Sequence, residues 1–87
     1  MFTVKEIERA VVDAVAGAYG VDEETLTMQT SYQVDLETKS LKVVAMIMMT
    51  NENLGLEDDD EVEFEDVMNC QTLQDTVDVL VAKYGAE

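Results

Sequence analysis

An all-α fold, a four-helix bundle with a short third helix and a long first loop, is predicted for this 87-residue chain by three observations. Apolar residues recur with a helical period near both ends of the chain. A third apolar block begins at Ser40 and meets a glycine stop at Gly55. No proline, internal repeat or low-complexity linker interrupts the chain, so residues 1–87 are read as a single domain.

Each element follows from local signals. Thr3 followed by Glu6 is a capping-box pattern. Ile7, Val11, Val15 and Ala18 then form a stripe, widened by Ala10 and Ala14, while Lys5, Glu8, Arg9 and Asp13 take the other side. A first helix over Val4–Tyr19, stopped by Gly20, is expected. From Gly20 to Lys39 no helical period is visible; Val21, Leu26, Met28, Tyr32, Val34 and Leu36 are expected to anchor this stretch across the bundle. The block from Ser40 to about Asn53 is apolar on all sides, as suits a helix that meets both a core and a partner. A short helix around Glu63–Asn69 follows, in a stretch crowded with acids. Thr72 with Asp75 three residues on reads as the N-cap of a last helix. Its face is Leu73, Val77, Leu80, Val81 and Tyr84, with Lys83 in the final turn and Gly85 as the stop.

Composition excludes several function classes. Twenty Asp and Glu against five Lys and Arg give a net charge of −15, which repels phosphates and so argues against a nucleic-acid partner or an anionic membrane surface. It favours basic protein partners. The longest apolar run, Val43–Met49, is too short to span a bilayer, and the N-terminal stretch lacks a signal-peptide pattern. Cys70 is the only cysteine, which suits a reducing compartment; a cytoplasmic monomer without stable membrane insertion is expected. Histidine is absent, which removes the commonest general base, and no catalytic residue is assigned.

Four features are candidates for function. Ser40 heads the acid-free segment from Thr38 to Asn51 and is flanked by Lys39 and Lys42. Its simplest role is an N-cap; a hydroxyl at a helix N-terminus also suits a phosphate ester. A catalytic serine without histidine is hard to build. The run Glu57–Asp66 holds eight acids in ten residues, yet fails the EF-hand pattern because Val62 stands at a ligand position and the required glycine is missing. No metal site is assigned; the run reads as a solvated face or as bait for basic partners. Met46, Met48 and Met49 suit core packing, with at least one facing outward. Cys70 is expected to be a buried small hydrophobe in no activating setting.

Three segments in register resemble the acyl carrier protein family. Ser31-Tyr32-Gln33-Val34-Asp35-Leu36 is similar to the family's approach to its modification site, Lys39-Ser40-Leu41 falls where the family has Asp-Ser-Leu, and Thr72–Leu80 is similar to its last helix. The resemblance implies a 4′-phosphopantetheine arm attached to Ser40 by a phosphopantetheinyl transferase. The arm's thiol would carry an acyl group to acyl-loading, elongating or transferring enzymes in a specialised fatty-acid, lipid or polyketide pathway. Lys39 and Lys42 are candidates to contact the arm's phosphate, and Leu41, Lys42, Ala45 and Met48 are the expected partner surface.

The chain departs from the family's Asp-Leu-Gly-x-Asp-Ser-Leu at two places: Glu37 replaces the glycine and Lys39 the second acid. Lys42, Ala45 and Asn51 stand where the family commonly has acids, which implies dedicated partners rather than those of housekeeping fatty-acid synthesis. Two alternatives accompany this reading: a peptidyl or aminoacyl carrier domain, and an unmodified acidic interaction module.

Overall fold

The computed structural model describes residues 2–36 and 39–85. Glu37 and Thr38, and with them the replaced glycine before Ser40, lie outside the described residues. Four α-helices follow one another: α1 Val4–Tyr19, α2 Ser40–Leu54, α3 Phe64–Val67 and α4 Leu73–Tyr84. Short 3₁₀ turns at Glu23–Thr25 and Asp58–Asp60 punctuate the connections. The all-α prediction holds, with only two isolated bridges, Phe2 with Gly85 and Ser31 with Thr72, among the described residues.

α1 begins and ends as its sequence requires. The Thr3 hydroxyl accepts from the Glu6 amide at 3.1 Å, and the Thr3 amide donates to the Glu6 carboxylate at 2.8 Å. Gly20 closes the helix in the left-handed region at φ 67°, its N–H reaching the Ala16 carbonyl. The buried face is Ile7, Ala10, Val11, Ala14, Val15 and Ala18. α4 repeats the same start, with Thr72 and Asp75 bonding reciprocally, and buries Leu73, Thr76, Val77 and Leu80. These two faces and the inner side of α2, Met46 and Ile47, make one core that also takes in Tyr32, Val62 and Val67. Truncating a fully buried member such as Leu80 to alanine would cost about 2–5 kcal/mol.

The long first loop is held by backbone as much as by side chains. The Tyr32 amide donates to the Gln71 carbonyl at 2.9 Å, the Leu73 amide to Thr30 at 3.2 Å, and the Gln74 amide to Met28 at 2.9 Å. These bonds lay the loop along the start of α4. Tyr32 is buried and its hydroxyl bonds Thr76 Oγ1 at 2.7 Å, with Met46 Sδ at 3.6 Å. Leu26, Met28 and Leu36 pack against the core as expected. Val34 does not: it is 80% exposed. A turn explains this, since Ser31 and Asp35 bond each other in both directions and aim Val34 away from the bundle.

The short third helix is confined to Phe64–Val67, within the expected Glu63–Asn69. Its entry is set by Asn51 of α2. That side chain accepts from the Val62 amide at 2.7 Å and donates to the Val62 carbonyl at 3.3 Å. Asn51, noted as standing where the family commonly has an acid, is a buried clamp, because its side-chain amide both accepts from and donates to the same backbone residue.

Candidate functional site

Ser40 is the first residue of α2, and the N-cap position belongs to Lys39, whose backbone is extended at φ −122° and ψ 154°. The capping role considered for Ser40 is therefore corrected. The Lys39 side chain makes no capping hydrogen bond, and the first turn holds no acid. The amides of Lys42 and Val43 both turn to the Lys39 carbonyl, at 2.9 and 3.2 Å. The Ser40 side chain is exposed, at the end of the helix where backbone N–H groups favour an anion.

The charges around it are unusual for this chain. Arg9 pairs with Asp13 and Glu23, at 2.9 and 3.0 Å, and Lys83 pairs with Asp66 at 3.0 Å. Lys39 and Lys42 are exposed and enter no ion pair among the described residues. They stand one residue before and two residues after Ser40, so two cations flank the hydroxyl.

Behind Ser40 a cavity of about 210 Å³ opens between α2 and α3. Tyr32 and Met46 form buried parts of its wall, Val43 and Val67 its sides, and the exposed Phe64 and Met68 its rim. Cys70 also lines it, half-buried rather than fully buried as expected. Burial pushes its thiol pKa up, and Asp75 and Asp78 push the same way against a hydrogen bond with Thr76. Gln33 and Ser40 add polar atoms to a wall that is otherwise built largely of apolar side chains. The Tyr32 hydroxyl pKa is likewise raised, chiefly by burial.

The outer face of α2 is apolar. Leu41 is 79% exposed, Met48 61% and Val44 43%. Leu41 and Met48 stand where the partner surface was expected. Ala45 is half-buried against the core and contributes only an edge. Val44, Phe64 and Met68 complete the patch and were not singled out from sequence, although Val44 lies three residues from Leu41 and four from Met48, the spacing of one helix face. Among the methionines, Met46 is core, Met48 faces outward, and Met49 packs beside Gly17, where a Cβ would stand 3.0 Å from its sulfur.

The acids of Glu57–Asp66 do not converge. Among the described residues no group of three or more acids, or of acids with the cysteine, is arranged to hold a metal ion. No helix is long and apolar enough to cross a membrane among those residues.

An exposed serine hydroxyl at a helix N-terminus, two lysines beside it that enter no ion pair among the described residues, and a cavity behind it are compatible with a phosphate-linked group. Comparison with known proteins agrees. The family described as "Phosphopantetheine attachment site" matches residues 9–80. An acyl carrier protein of Rubrobacter xylanophilus is 36% identical over 77 residues, covering 88% of this chain and 90% of that protein. The chain belongs to the acyl carrier protein family, whose members hold a covalent 4′-phosphopantetheine arm and serve transferases and acyl-handling enzymes. Members of this family are carriers rather than catalysts.

Proposed function

We propose that Ser40 carries the arm, and that residues 1–87 form one non-catalytic carrier domain, monomeric and cytoplasmic, which presents acyl groups in a specialised fatty-acid, lipid or polyketide pathway. The observation that supports this reading is the exposed Ser40 hydroxyl at the first position of α2, bordering a cavity walled in part by Val43, Met46, Val67 and Met68. When bound, 4′-phosphopantetheine supplies a terminal thiol that holds the cargo as a thioester. The chain's own residues do the rest. The open first turn of α2 and the side chains of Lys39 and Lys42 stabilise a phosphodiester on the Ser40 oxygen. Exposed ion pairs contribute only about 0–1 kcal/mol, so the lysines chiefly orient the group. Val43, Met46, Val67 and Met68 shelter an apolar chain, which favours an acyl cargo over an aminoacyl or peptidyl one. Leu41, Lys42, Met48 and the edge at Ala45 meet the transferase and the acyl-loading, elongating or transferring enzymes; a nucleic-acid partner is disfavoured by the charge.

The test is intact mass after incubation with a broad-specificity phosphopantetheinyl transferase and coenzyme A. A single adduct that is lost in Ser40→Ala supports the assignment. No adduct with any transferase tested would turn the reading toward an unmodified acidic interaction module. For the lysines, ³¹P NMR of the modified protein is expected to shift when both are changed to alanine; an unchanged spectrum and modification rate would remove them from the site.

A further inference from the structure

The cavity behind Ser40 is small, and its inner end is braced. Its exposed members, Gln33, Ser40, Phe64 and Met68, form the mouth, and the buried Tyr32, Met46 and Val67 form the inner end. Its volume of about 210 Å³ falls below the roughly 300–1,000 Å³ of ordinary small-molecule sites. At about 30 Å³ for each non-hydrogen atom, the share of one molecule in liquid water, it holds roughly seven. Tyr32 spans the inner end from α2 to α4. Its hydroxyl shares a hydrogen bond with Thr76 Oγ1 at 2.7 Å and lies 3.6 Å from Met46 Sδ. Its amide is tied to the Gln71 carbonyl at 2.9 Å, and the Tyr19 ring of α1 packs against it at 6.3 Å between centroids. Thr76 is 1% exposed, so the brace is shielded from water. No basic side chain lines the cavity among the described residues, and the charges that bear on its Cys70 thiol, Asp75 and Asp78, are negative.

We propose that Tyr32 sets the length of the cargo: braced on Thr76, it limits what the cavity shelters to a short, uncharged acyl group of about six carbons. Six carbons and the thioester carbonyl oxygen fill the roughly seven places available. The hydroxyl is what makes the stop firm. A ring without it would slide toward α4 into the space the oxygen fills. With it, a longer chain has to break a buried hydrogen bond, so the excess carbons leave over the exposed Phe64 and Met68 instead. A terminal carboxylate finds no cation inside and stays at the lysine-flanked mouth. The proposal rests on Ser40 as the attachment position and adds to it the class of the cargo.

The probes are straight acyl groups of two to twelve carbons, loaded from the matching acyl-coenzyme A by a broad-specificity phosphopantetheinyl transferase. The Ser40 oxygen takes the acylated phosphopantetheine, the phosphoanhydride breaks, and the adenosine bisphosphate leaves with the serine proton released to solvent. Melting temperature and amide shifts are read for each form, relative to the same variant bearing the bare arm, so a general loss of stability cancels. The wild type should gain stability up to about six carbons and none beyond, with shifts at Phe64 and Met68 appearing only for the longer chains. In Tyr32→Phe the gain should continue past that length, and Thr76→Val, which removes the other half of the brace, should do the same. Tyr84→Phe removes a hydroxyl bonded to the Asp60 carbonyl, away from the cavity, and should keep the wild-type limit. A glutaryl group should stabilise less than pentanoyl, the chain of equal length without the carboxylate.

A gain that continues to twelve carbons in the wild type would overturn the proposal, as would an unmoved limit in Tyr32→Phe and Thr76→Val. So would a limit that moves equally in Tyr84→Phe, or glutaryl and pentanoyl forms of equal stability. If intact mass shows that Ser40 takes no arm, the attachment reading fails by itself. The cavity is then read through Ser40→Cys in a Cys70→Ser background. Alkyl methanethiosulfonates of graded length form a mixed disulfide at position 40 and release methanesulfinate. A length limit that moves in Tyr32→Phe and stays in Tyr84→Phe is expected there too, and its absence would overturn the role of Tyr32 whatever the fate of the arm.

Discussion

Removing the Asn51 clamp isolates the link between the acidic connection and the bundle. Asn51 is 7% exposed and Val62 4%, so both hydrogen bonds between them are shielded from water. Asn51→Ala strips both at once and leaves the Val62 N–H and C=O without their partner. Each buried backbone group left unpaired costs about 1–3 kcal/mol, and partial entry of water brings the pair to roughly 2–4 kcal/mol. A chain of this length has a total stability of about 4–13 kcal/mol. The loss is therefore a large fraction of what holds the protein folded. At about 4–8 °C per kcal/mol the melting temperature should fall by roughly 8–32 °C.

The assay is a thermal melt by circular dichroism, paired with amide hydrogen exchange at Val62. Exchange there should accelerate more than at Leu80, whose amide lies in the core of α4. Asn51→Asp is the finer test: a carboxylate still accepts from the Val62 amide but has no proton for the carbonyl. It should lose about 1–3 kcal/mol while keeping Val62 N–H protection above that of the alanine variant. A fall below about 2 °C in Asn51→Ala with unchanged Val62 exchange would refute the clamp.

Three further outcomes are expected. Because a charge of −15 works against compaction, the melting temperature should rise with NaCl and rise more with MgCl₂ at equal ionic strength; a flat response would show that self-repulsion is unimportant. The Asp66 carboxyl pKa is lowered, first by the Glu63 amide and then by the Lys83 ammonium. Its bonds therefore stabilise the protein above the unfolded carboxylate pKa, and that contribution fades as pH falls through the lower folded value. The melting-temperature gap between wild type and Asp66→Asn should accordingly shrink from pH 6 toward pH 3, and a gap that widens would contradict the assignment. Gly17→Ala should raise the melting temperature by about 2–8 °C, since alanine gains roughly 0.5–1 kcal/mol in a helix and the close neighbour among the described residues is the movable end of Met49; a fall would show that Met49 is fixed in place.

Elements whose ends carry their own chemistry were legible from the sequence. Thr3, Glu6 and Gly20 bound α1, and Thr72, Asp75 and Gly85 bound α4, because caps act within a few residues and need no tertiary partner. The site was legible in part for a similar reason: Ser40 and its lysines are neighbours in the chain. What escaped depends on contacts between distant residues. Asn51 reads as a surface position until Val62 is brought beside it, eleven residues on. Val34 looks like an anchor until the Ser31–Asp35 turn points it outward. The cavity joins Tyr32, Ser40, Met46 and Cys70 from three segments, and no local pattern announces such a wall. The capping role weighed for Ser40 beside attachment falls away because Lys39 takes the cap position, with a side chain that does not perform the role.

The pairing of Phe2 with Gly85 bears on how the protein can be rebuilt. The Phe2 amide donates to the Tyr84 carbonyl at 3.3 Å, so the two ends of the described chain already lie side by side. A linker of a few residues could join them at little loop-closure entropy. New ends cut at the exposed Val34 turn would then yield a circular permutant with the same core. Asn53 reaches the Ala10 carbonyl, and the Tyr84 hydroxyl reaches the Asp60 carbonyl, which places this seam at the Gly55 end of α2 and leaves Ser40 at the opposite pole. An immobilising tag or fluorophore fixed at the seam would hold the molecule by its foot, leaving the serine end clear for whatever approaches it.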